Sequence, residues 1–307
     1  MKILILGGGG FLGSAICDCL LDSGYSVRVF ERDRVLPYRD FQQSEQVEWM
    51  TGDFLSSHDV EGAMDGVDAI IHLVSTTLPK SSNDDPLYDI QSNLVSTLQV
   101  LEAMKKKEIR KIIYASSGGT IYGIPKTIPI TESHPTEPIC SYGITKLTIE
   151  KYLKLYKTLH GIHPVILRLA NPYGPRQRIE TAQGAVAVFL YNALTNNTIK
   201  IWGDGSVVRD YLFVDDVAAA FRAALNYEGD KTTFNIGSGY GTSLNQLIIK
   251  IEKLFNIRLN REYAAARSFD VPCNTLCIVK SKDELGWTPT TAIEEGLSKT
   301  IEWLKKQ

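Results

Sequence analysis

Residues 2–13 of the chain read Lys2-Ile3-Leu4-Ile5-Leu6-Gly7-Gly8-Gly9-Gly10-Phe11-Leu12-Gly13, an apolar run that ends in a glycine-rich turn. The run predicts a strand, and the amphipathic stretch from Ser14 to Leu21 predicts a helix. Strand, glycine-rich turn and helix in this order are typical of a dinucleotide-binding fingerprint. Gly7 would permit the tight turn, Gly10 the approach of a pyrophosphate to the helix N-terminus, and Gly13 the packing of helix on strand.

An acidic residue follows the second predicted strand, Tyr25 to Phe30, at Glu31. A carboxylate there can accept hydrogen bonds from the hydroxyls of the adenosine ribose and repels a 2′-phosphate, which favours NAD. Arg32 comes next, and its guanidinium could pair with a 2′-phosphate. NADP therefore stays the less favoured cofactor.

Tyr142 and Lys146 are four residues apart at the start of a predicted helix, Tyr142 to Leu159. Both side chains should project from one face of that helix. We expect the ammonium group to lower the pKa of the phenol, which would make Tyr142 a general base. This spacing occurs by chance on many helices, so the pair gains its meaning from the dinucleotide fingerprint upstream.

The composition indicates a globular protein without polyelectrolyte or membrane character. The 307 residues are 44% hydrophobic and carry a net charge of −2, which argues against nucleic acid as a partner. No apolar run approaches the roughly 20 residues that span a bilayer, and none resembles a secretory signal. The five cysteines lack Cys-x-x-Cys spacing and the five histidines lack metal-ligand spacing. We therefore expect a cytoplasmic protein with reduced thiols and no metal.

Predicted strands and helices alternate along the chain. Further elements are predicted as strands at Val47–Met50, Ala69–Leu73, Lys111–Ala115 and Pro164–Leu169 and as a helix at Ser92–Lys105. This pattern predicts an α/β fold, a Rossmann doubly wound parallel sheet with a smaller C-terminal α/β substrate lobe. We expect a dinucleotide-binding domain over 1–170 and a substrate lobe over 171–307, with 208–230 packing back on the first domain.

A series of motifs continues this pattern to the end of the chain. They are Gly7-x-x-Gly10-x-x-Gly13, Gly52-Asp53, His72-Leu73, Asn93, Ser116-Ser117, Thr120-Ile121-Tyr122-Gly123, Tyr142-x-x-x-Lys146, Arg168-x-x-Asn171-Pro172-Tyr173-Gly174-Pro175-Arg176, Gly203-Asp204-Gly205, Arg209-Asp210-Tyr211, Val214-Asp215-Asp216-Val217, Asn235-Ile236-Gly237 and Arg267-x-x-Asp270-Val271-Pro272. In this order the chain resembles the extended short-chain dehydrogenase/reductases of the nucleotide-sugar epimerase and dehydratase branch, the UDP-glucose 4-epimerase-like proteins.

The resemblance implies a role for each matching residue. Tyr142 is similar to the general base of the family, and Lys146 to the lysine that holds the nicotinamide ribose. The resemblance implies further cofactor contacts from Phe11, Leu12, Asp53, Phe54 and Leu73. Asp53 would meet the adenine amino group, although a helix cap before Ser56-Ser57 is an alternative. The implied contacts to a nucleoside-diphosphate sugar come from Asn171, Arg209 and Arg267, the two arginines binding the diphosphate.

The chain departs from the family pattern at Gly118, where a Ser or Thr usually bonds to the reacting sugar oxygen. Thr120 is our first candidate for the missing hydroxyl, and Ser117 is the second. The stretch Gly118-Gly119-Thr120 carries no carboxylate, which argues against the 4,6-dehydration that some family members catalyse.

Asn274 occupies the position that limits sugar size in UDP-sugar 4-epimerases. Because Asn274 and the adjacent Cys273 are smaller than the tyrosine of glucose-specific enzymes, the resemblance implies that an N-acetylhexosamine can enter. Asn274 is thus a predicted substrate contact.

Three functions stay open from sequence. They are a 4-epimerase of polysaccharide biosynthesis with tightly held NAD, a 4-ketoreductase that uses exchangeable NAD(P)H, and a dinucleotide-binding sensor or scaffold without turnover. The resemblance also implies a homodimer in which Ser92–Lys105 and Tyr142–Leu159 form a four-helix bundle with their copies. Asp215-Asp216 could suggest a metal site, but the family places this pair at a helix start, where carboxylates cap amides.

Overall fold

The computed structural model describes residues 1–179, 184–266 and 271–307. The strands are β1 (Lys2–Leu6), β2 (Ser26–Glu31), β3 (Val47–Thr51), β4 (Ala69–His72), β5 (Lys111–Ser117), β6 (His163–Leu169), β7 (Asn171–Tyr173), β8 (Ile199–Trp202), β9 (Val208–Phe213), β10 (Thr233–Ile236), β11 (Gly241–Ser243), β12 (Arg261–Ala264) and β13 (Cys273–Asn274). The helices are α1 (Phe11–Asp22), α2 (Ser57–Ala63), α3 (Ser81–Asp84), α4 (Pro86–Asp89), α5 (Ser96–Lys106), α6 (Ser141–His160), α7 (Ala185–Leu194), α8 (Val214–Leu225), α9 (Leu244–Phe255), α10 (Val279–Leu285) and α11 (Ile293–Leu304), with a π-helical segment, Ile90–Val95, between α4 and α5.

Within these ranges, seven strands form one sheet in the order β10-β6-β5-β4-β1-β2-β3, with every neighbouring pair parallel. Helices cover both faces of this sheet. Ile3 and Ile5 of β1 pack on one face in the cluster that includes α1 and α8, whereas Leu4 and Leu6 pack on the other with α2, α5 and α6. The period of two follows from the alternation of side chains along a strand. The predicted doubly wound parallel sheet is confirmed.

The predicted boundaries agree with the structure to within one or two residues, with two exceptions: α1 begins at Phe11, three residues before the predicted Ser14, and the helix predicted from Ser92 begins differently. The predicted helix Ser92–Lys105 is wrong at its start, because a π-helical segment occupies Ile90–Val95 before α5 begins at Ser96. Side chains in this region bond to the preceding turn: the Ser92 hydroxyl donates to the Tyr88 carbonyl at 2.6 Å. Such π-helical turns often accompany functional sites.

The C-terminal part contributes both a separate lobe and elements of the main sheet. In the lobe, β9 pairs with β7, β11 and β13, while β8 pairs with β12. In contrast, β10 adds to the edge of the seven-stranded sheet beside β6, and α8 packs against α1. The proposed boundary at 170/171 therefore does not divide the structure into two separate units, because β10 and α8 belong with the main sheet.

No helix in the described ranges is both long enough and apolar enough to cross a lipid bilayer.

Candidate active site

A cleft of about 460 Å³ opens at the carboxyl ends of β1, β4, β5 and β6. This is where ligands bind in open parallel sheets. The glycine turn, Tyr142, Lys146, Ser117 and Asn171 all line the cleft. The fold thus brings together residues that are far apart in the sequence.

The glycine turn is shaped for a close approach of a phosphate. Gly7 has a φ of +87°, which side chains rarely adopt. A Cβ on Gly13 would lie only 2.3 Å from the Gly7 carbonyl oxygen, so a side chain there would force α1 away from the turn. Gly10 provides no side-chain cap for α1, and the first turn of this helix contains no acidic residue. Its free amides and the helix dipole therefore suit an anionic group such as a pyrophosphate.

Glu31 lies at the end of β2 beside this turn. Its Oε2 accepts a hydrogen bond from the Gly9 amide at 3.3 Å, and its Oε1 accepts one from the Arg32 amide at 3.2 Å. The Arg32 side chain is 56% exposed, with its Nε 4.0 Å from Glu31 Oε1. The carboxylate adjoins the cradle that would hold an adenosine ribose, as the preference for NAD requires.

Of the five remaining residues predicted to contact the cofactor, three line the cleft and two do not. Phe11, Leu12 and Leu73 line the cleft. Phe54 is buried in the core against the His72 ring, with 5.4 Å between ring centres. Asp53 is exposed, and its Oδ1 accepts a hydrogen bond from the Leu55 amide. The alternative role of Asp53 as a helix cap is wrong, because Ser56 caps α2.

Tyr142 and Lys146 project from the first turns of α6 into the cleft. The Lys146 Nζ lies 5.6 Å from the centre of the Tyr142 ring and donates a hydrogen bond to the Ala115 carbonyl at 3.0 Å. Burial lowers the pKa of Lys146 to about 8, although the Asp89 and Glu150 carboxylates act in the opposite direction.

The pKa of Tyr142 differs from our expectation. Burial raises it to about 12, and a side-chain hydrogen bond with Ser75 acts in the opposite direction. The prediction of a lowered pKa for Tyr142 is therefore wrong, because desolvation of the phenolate outweighs the hydrogen bond with Ser75. Ser75 also lines the cleft, and the motifs in the sequence did not single it out.

A buried carboxylate, Asp89, holds the start of α6. Its side chain is fully buried and accepts hydrogen bonds from the hydroxyls of Thr77, Ser141 and Thr145 and from the amide group of Asn93. Ser141 and Thr145 flank Tyr142, so the carboxylate fixes the turn that carries the base. Sequence reasoning missed Asp89, although its position four residues before Asn93 on one helical segment was a usable signal.

The two candidates for the missing hydroxyl are bonded to each other. The Thr120 Oγ1 donates to the Ser117 Oγ at 2.9 Å. Ser117 lines the cleft together with Tyr142, and Thr120 is not among the lining residues. Of the two candidates, only Ser117 therefore borders this cleft.

Gly118 lies against a wall that leaves little room for a side chain. A Cβ at this position would be 2.6 Å from Leu276 Cδ1 and 3.2 Å from the carbonyl oxygens of Arg168 and Leu169. The buried Leu276 thus occupies the space that the usual Ser or Thr would need.

Asn274 does not reach the cleft. Its side chain is 1% exposed, and its Nδ2 donates to the Gly118 carbonyl at 2.9 Å. Within the described part of the chain its Oδ1 has no hydrogen-bond partner. The predicted direct contact between Asn274 and the sugar is therefore not what the structure shows, since the side chain packs behind Gly118.

Of the other predicted substrate residues, Asn171 lines the cleft, Arg209 is not among its lining residues, and Arg267 lies outside the described ranges. Asn171 lines the cleft, and its Nδ2 donates to the Asp210 carbonyl at 3.2 Å. Arg209 is partly buried, and its Nη1 donates to the carbonyls of Val208 and Val271 at 3.0 and 2.6 Å. Arg267 lies outside the described residues.

The Asp215-Asp216 pair begins α8, as expected, but Asp216 bonds to another segment. Its carboxylate accepts hydrogen bonds from the amides of Thr290 and Thr291 and from the Thr290 hydroxyl. Within residues 1–179, 184–266 and 271–307, no group of three or more His, Cys, Asp or Glu side chains is placed to hold a metal ion.

The fold and the cleft define a dinucleotide-binding protein of the Rossmann class with a Tyr–Lys pair at its centre. The chain belongs to the NAD-dependent epimerase/dehydratase family, whose model matches residues 3–237. This match confirms the expected family and its NAD dependence.

Individual relatives cover the chain over its full length. The structure of UDP-glucose 4-epimerase from Thermotoga maritima, with UDP-glucose, has a TM-score of 0.94 and 34% identity, over 100% of this chain and 99% of that one. The UDP-glucose 4-epimerase of Mycolicibacterium smegmatis is 34% identical over 100% of this chain and 99% of its own length. The dTDP-4-dehydro-6-deoxyglucose reductase of Escherichia coli is 32% identical, over 99% and 97% respectively.

Proposed function

We propose that the protein is an NAD-dependent nucleotide-sugar 4-epimerase, which oxidises C4 of a sugar and reduces the resulting ketone from the other face. The observation that carries this proposal is one cleft that joins Tyr142 and Lys146 to the glycine turn. The proposed substrates are UDP-hexoses and UDP-N-acetylhexosamines. The cytoplasmic location and a role in polysaccharide biosynthesis stay predictions from sequence.

Residues of three elements would hold the cofactor. The free amides at the start of α1 suit the pyrophosphate, Glu31 suits the adenosine ribose, and Lys146 suits the nicotinamide ribose. When bound, NAD supplies a ring carbon that accepts the C4 hydrogen of the sugar with its electron pair and later returns it.

Tyr142 would remove the proton of the sugar hydroxyl in the oxidation and return it in the reduction. A general base must lie in hydrogen-bond reach of the proton and must release it again near neutral pH. The hydrogen bond with Ser75 favours the phenolate of Tyr142 and so opposes the effect of burial. The positive charge of Lys146 lies 5.6 Å from the ring centre. It would stabilise the phenolate that forms after proton transfer.

The substrate class rests on the open end of the cleft and on the relatives. Asn171 lines the cleft with an amide that suits a sugar hydroxyl, and Arg209 on β9 pairs through that strand with β7, which carries Asn171. The guanidinium of Arg209 suits a diphosphate in the role that the family resemblance gives it. The Thermotoga maritima structure contains UDP-glucose. Because Asn274 packs behind Gly118, it does not by itself limit the size of the sugar, and both hexoses and N-acetylhexosamines remain candidates.

The second candidate function is a 4-ketoreductase. It is favoured by the Escherichia coli relative named dTDP-4-dehydro-6-deoxyglucose reductase and by the exposed Arg32 beside Glu31. In this case Tyr142 would act as a general acid, giving its proton to the oxygen of a 4-keto sugar.

A homodimer through α5 and α6 is part of the proposal. Large apolar side chains are exposed on α6 at Ile144, Leu155 and Leu159, and on the neighbouring π-helical segment at Val95. On a helix with 3.6 residues per turn, positions 144, 155 and 159 share one face. Such a stripe suits burial against its copy in a four-helix bundle.

The decisive experiment is to denature the purified protein and identify the nucleotide that it releases. We expect about one NAD per chain and interconversion of a UDP-sugar with its 4-epimer without added cofactor. A protein that releases no nucleotide and consumes NADPH with a 4-keto sugar would be a reductase instead. A protein that binds NAD but converts no sugar in either assay would be the sensor or scaffold.

A further inference from the structure

We propose that Ser117 supplies the hydroxyl that holds the reacting sugar oxygen and that Thr120 positions it. This inference rests on the proposed function. It moves the role from residue 118, where the family carries a Ser or Thr, to the residue before it.

One hydrogen bond joins the two candidate hydroxyls. Thr120 Oγ1 donates its proton to Ser117 Oγ, with 2.9 Å between the oxygens. A hydroxyl has one proton to donate, so the Ser117 proton is left for another acceptor. Among the described residues no other side-chain hydrogen bond of Ser117 is present.

Ser117 is the last residue of β5. Its neighbour Ser116 is buried and donates to Glu150 Oε1 at 2.7 Å, so that hydroxyl is committed to the core. Ser117 lines the cleft with Tyr142 and Lys146, whereas Thr120 lies outside the lining. Of the two candidates, Ser117 is thus the hydroxyl that can meet a ligand, and Thr120 bonds to it from outside the lining.

Close packing around residue 118 leaves little space for a side chain. Leu276 Cδ1 would lie 2.6 Å from a Cβ there, and two carbonyl oxygens would lie 3.2 Å from it. The Gly118 amide also donates to the Leu169 carbonyl at 2.7 Å, and its carbonyl accepts from Asn274. The backbone therefore cannot move easily to admit a hydroxyl at its usual place.

The chemistry explains why a donor is needed. When the sugar is oxidised, its C4–OH becomes a ketone, whose oxygen can only accept hydrogen bonds. A proton that Ser117 does not share with Thr120 matches this oxygen in the ketone state. The same donor would stabilise the negative charge that develops on the oxygen as the ketone is reduced.

The test compares Ser117→Ala, Thr120→Val and Thr120→Ser with wild type. For the sugar that wild type converts, we expect Ser117→Ala to lower kcat by about 10²-fold and Thr120→Val by about 10-fold. Thr120→Ser should recover most of the Thr120→Val loss, because it keeps the hydroxyl. Ser298→Ala and Thr158→Val remove hydroxyls that bond locally within their own helices, and they are the matched controls.

A binding measurement separates this role from a general structural one. In calorimetric titrations, Ser117→Ala should weaken binding of the nucleotide sugar by about threefold or more and leave the affinity for UDP and the NAD content unchanged.

A Ser117→Ala variant with kcat within threefold of wild type, or with equal losses for the sugar nucleotide and UDP, would overturn the proposal. A larger loss in Thr120→Val than in Ser117→Ala would assign the donor to Thr120. A wild-type protein that neither binds nor converts a nucleotide sugar would count against the proposed function itself and would overturn this proposal with it.

Discussion

The part of the cleft that carries Tyr142 and Lys146 is held by side-chain hydrogen bonds to a buried carboxylate, whereas the part around Gly118 combines backbone hydrogen bonds with close packing against a leucine. In the first, which we call the catalytic-helix wall (Ser141, Tyr142, Thr145 and Lys146), the residues on either side of the base are bonded to the fully buried carboxylate of Asp89. In the second, which we call the Gly118 wall (Ser117, Gly118, Asn274 and Leu276), a leucine fills the position of a family hydroxyl.

The comparison indicates that the position of the base is tightly constrained, whereas the side chain at residue 118 can vary. The position of the base must hold to a fraction of an ångström, and several directional bonds to Asp89 provide that constraint. The Gly118 wall needs only to present one hydroxyl to the sugar, so a change of side chain at residue 118 can be offset by its neighbour Ser117. The buried, unpartnered Oδ1 of Asn274 is consistent with a less constrained wall.

The largest expected effect is on the catalytic-helix wall itself. Replacing Tyr142 with Phe should lower kcat by about 10³-fold, because the ring is retained and the group that moves the proton is lost. Steady-state turnover and NAD content give the measurement. Tyr156→Phe, on the same helix, removes a hydroxyl that bonds to Glu102 and should leave kcat within twofold of wild type. Equal losses in the two variants would show that the Tyr142 position is structural.

The next effect concerns the carboxylate beneath that wall. Asp89→Ala should lower the free energy of unfolding by about 3 kcal/mol, because three buried donors and the half-buried Ser141 hydroxyl lose their acceptor. Denaturant unfolding measures the loss, and the exposed Asp33→Ala is the control, with an expected change below about 0.5 kcal/mol. Because Asp89 raises the pKa of Lys146, the pKa of that lysine should also fall in the variant. A change in stability below about 1 kcal/mol would contradict the account.

His72 should make the free energy of unfolding depend on pH, with an effect of intermediate size. Burial and the charge of Lys146 lower the pKa of His72 to about 3, from an ordinary value of 6.5. The unfolded chain therefore binds the proton first, so stability is fully present above pH 6.5 and is lost as the pH falls toward 3. The loss from this group should reach about 2 kcal/mol between pH 8 and pH 5.

Unfolding curves of wild type and His72→Gln at several pH values isolate this contribution. The variant should lose less stability than wild type over the same range. Parallel curves for the two proteins would show that His72 is not buried as a neutral ring.

The smallest effect tests the packing of the Gly118 wall. Gly118→Ala should lower the free energy of unfolding by about 1.5 kcal/mol, because the added methyl group overlaps Leu276. In a Leu276→Ala background the same change should cost about 1 kcal/mol less, which a double-mutant cycle measures. Gly62→Ala, where a Cβ meets nothing within 4 Å, is the control. Additive effects of the two substitutions would show that Leu276 does not limit residue 118.

The sequence predicted those parts of the molecule that depend on local spacing. The turn Gly7–Gly13, the acidic end of β2 and the pair Tyr142–Lys146 each depend on residues within one or two elements. The turn and the pair line the cleft, and Glu31 is bonded to the amide of Gly9 in the turn. Periodicity also identified most strands, because buried parallel strands are continuous apolar runs.

The parts that the sequence did not predict depend on contacts between distant positions. Asp89 acts on residues more than 50 positions away, and Leu276 decides the space at a residue more than 150 positions before it. The raised pKa of Tyr142 likewise reflects burial by the whole cleft. Motif spacing contains no information on such contacts, and it therefore did not predict that Asn274 is buried against the Gly118 carbonyl.

The central claim is that the C4 hydrogen of the sugar leaves and returns with its electrons while Tyr142 handles only the hydroxyl proton. Epimerisation in D₂O tests this most directly, using whichever of UDP-glucose and UDP-N-acetylglucosamine the wild-type protein converts without added cofactor. The account predicts that the product, followed by NMR, retains protium at C4. Deuterium at C4 would mean that the hydrogen leaves as a proton and exchanges with water, and would contradict the account.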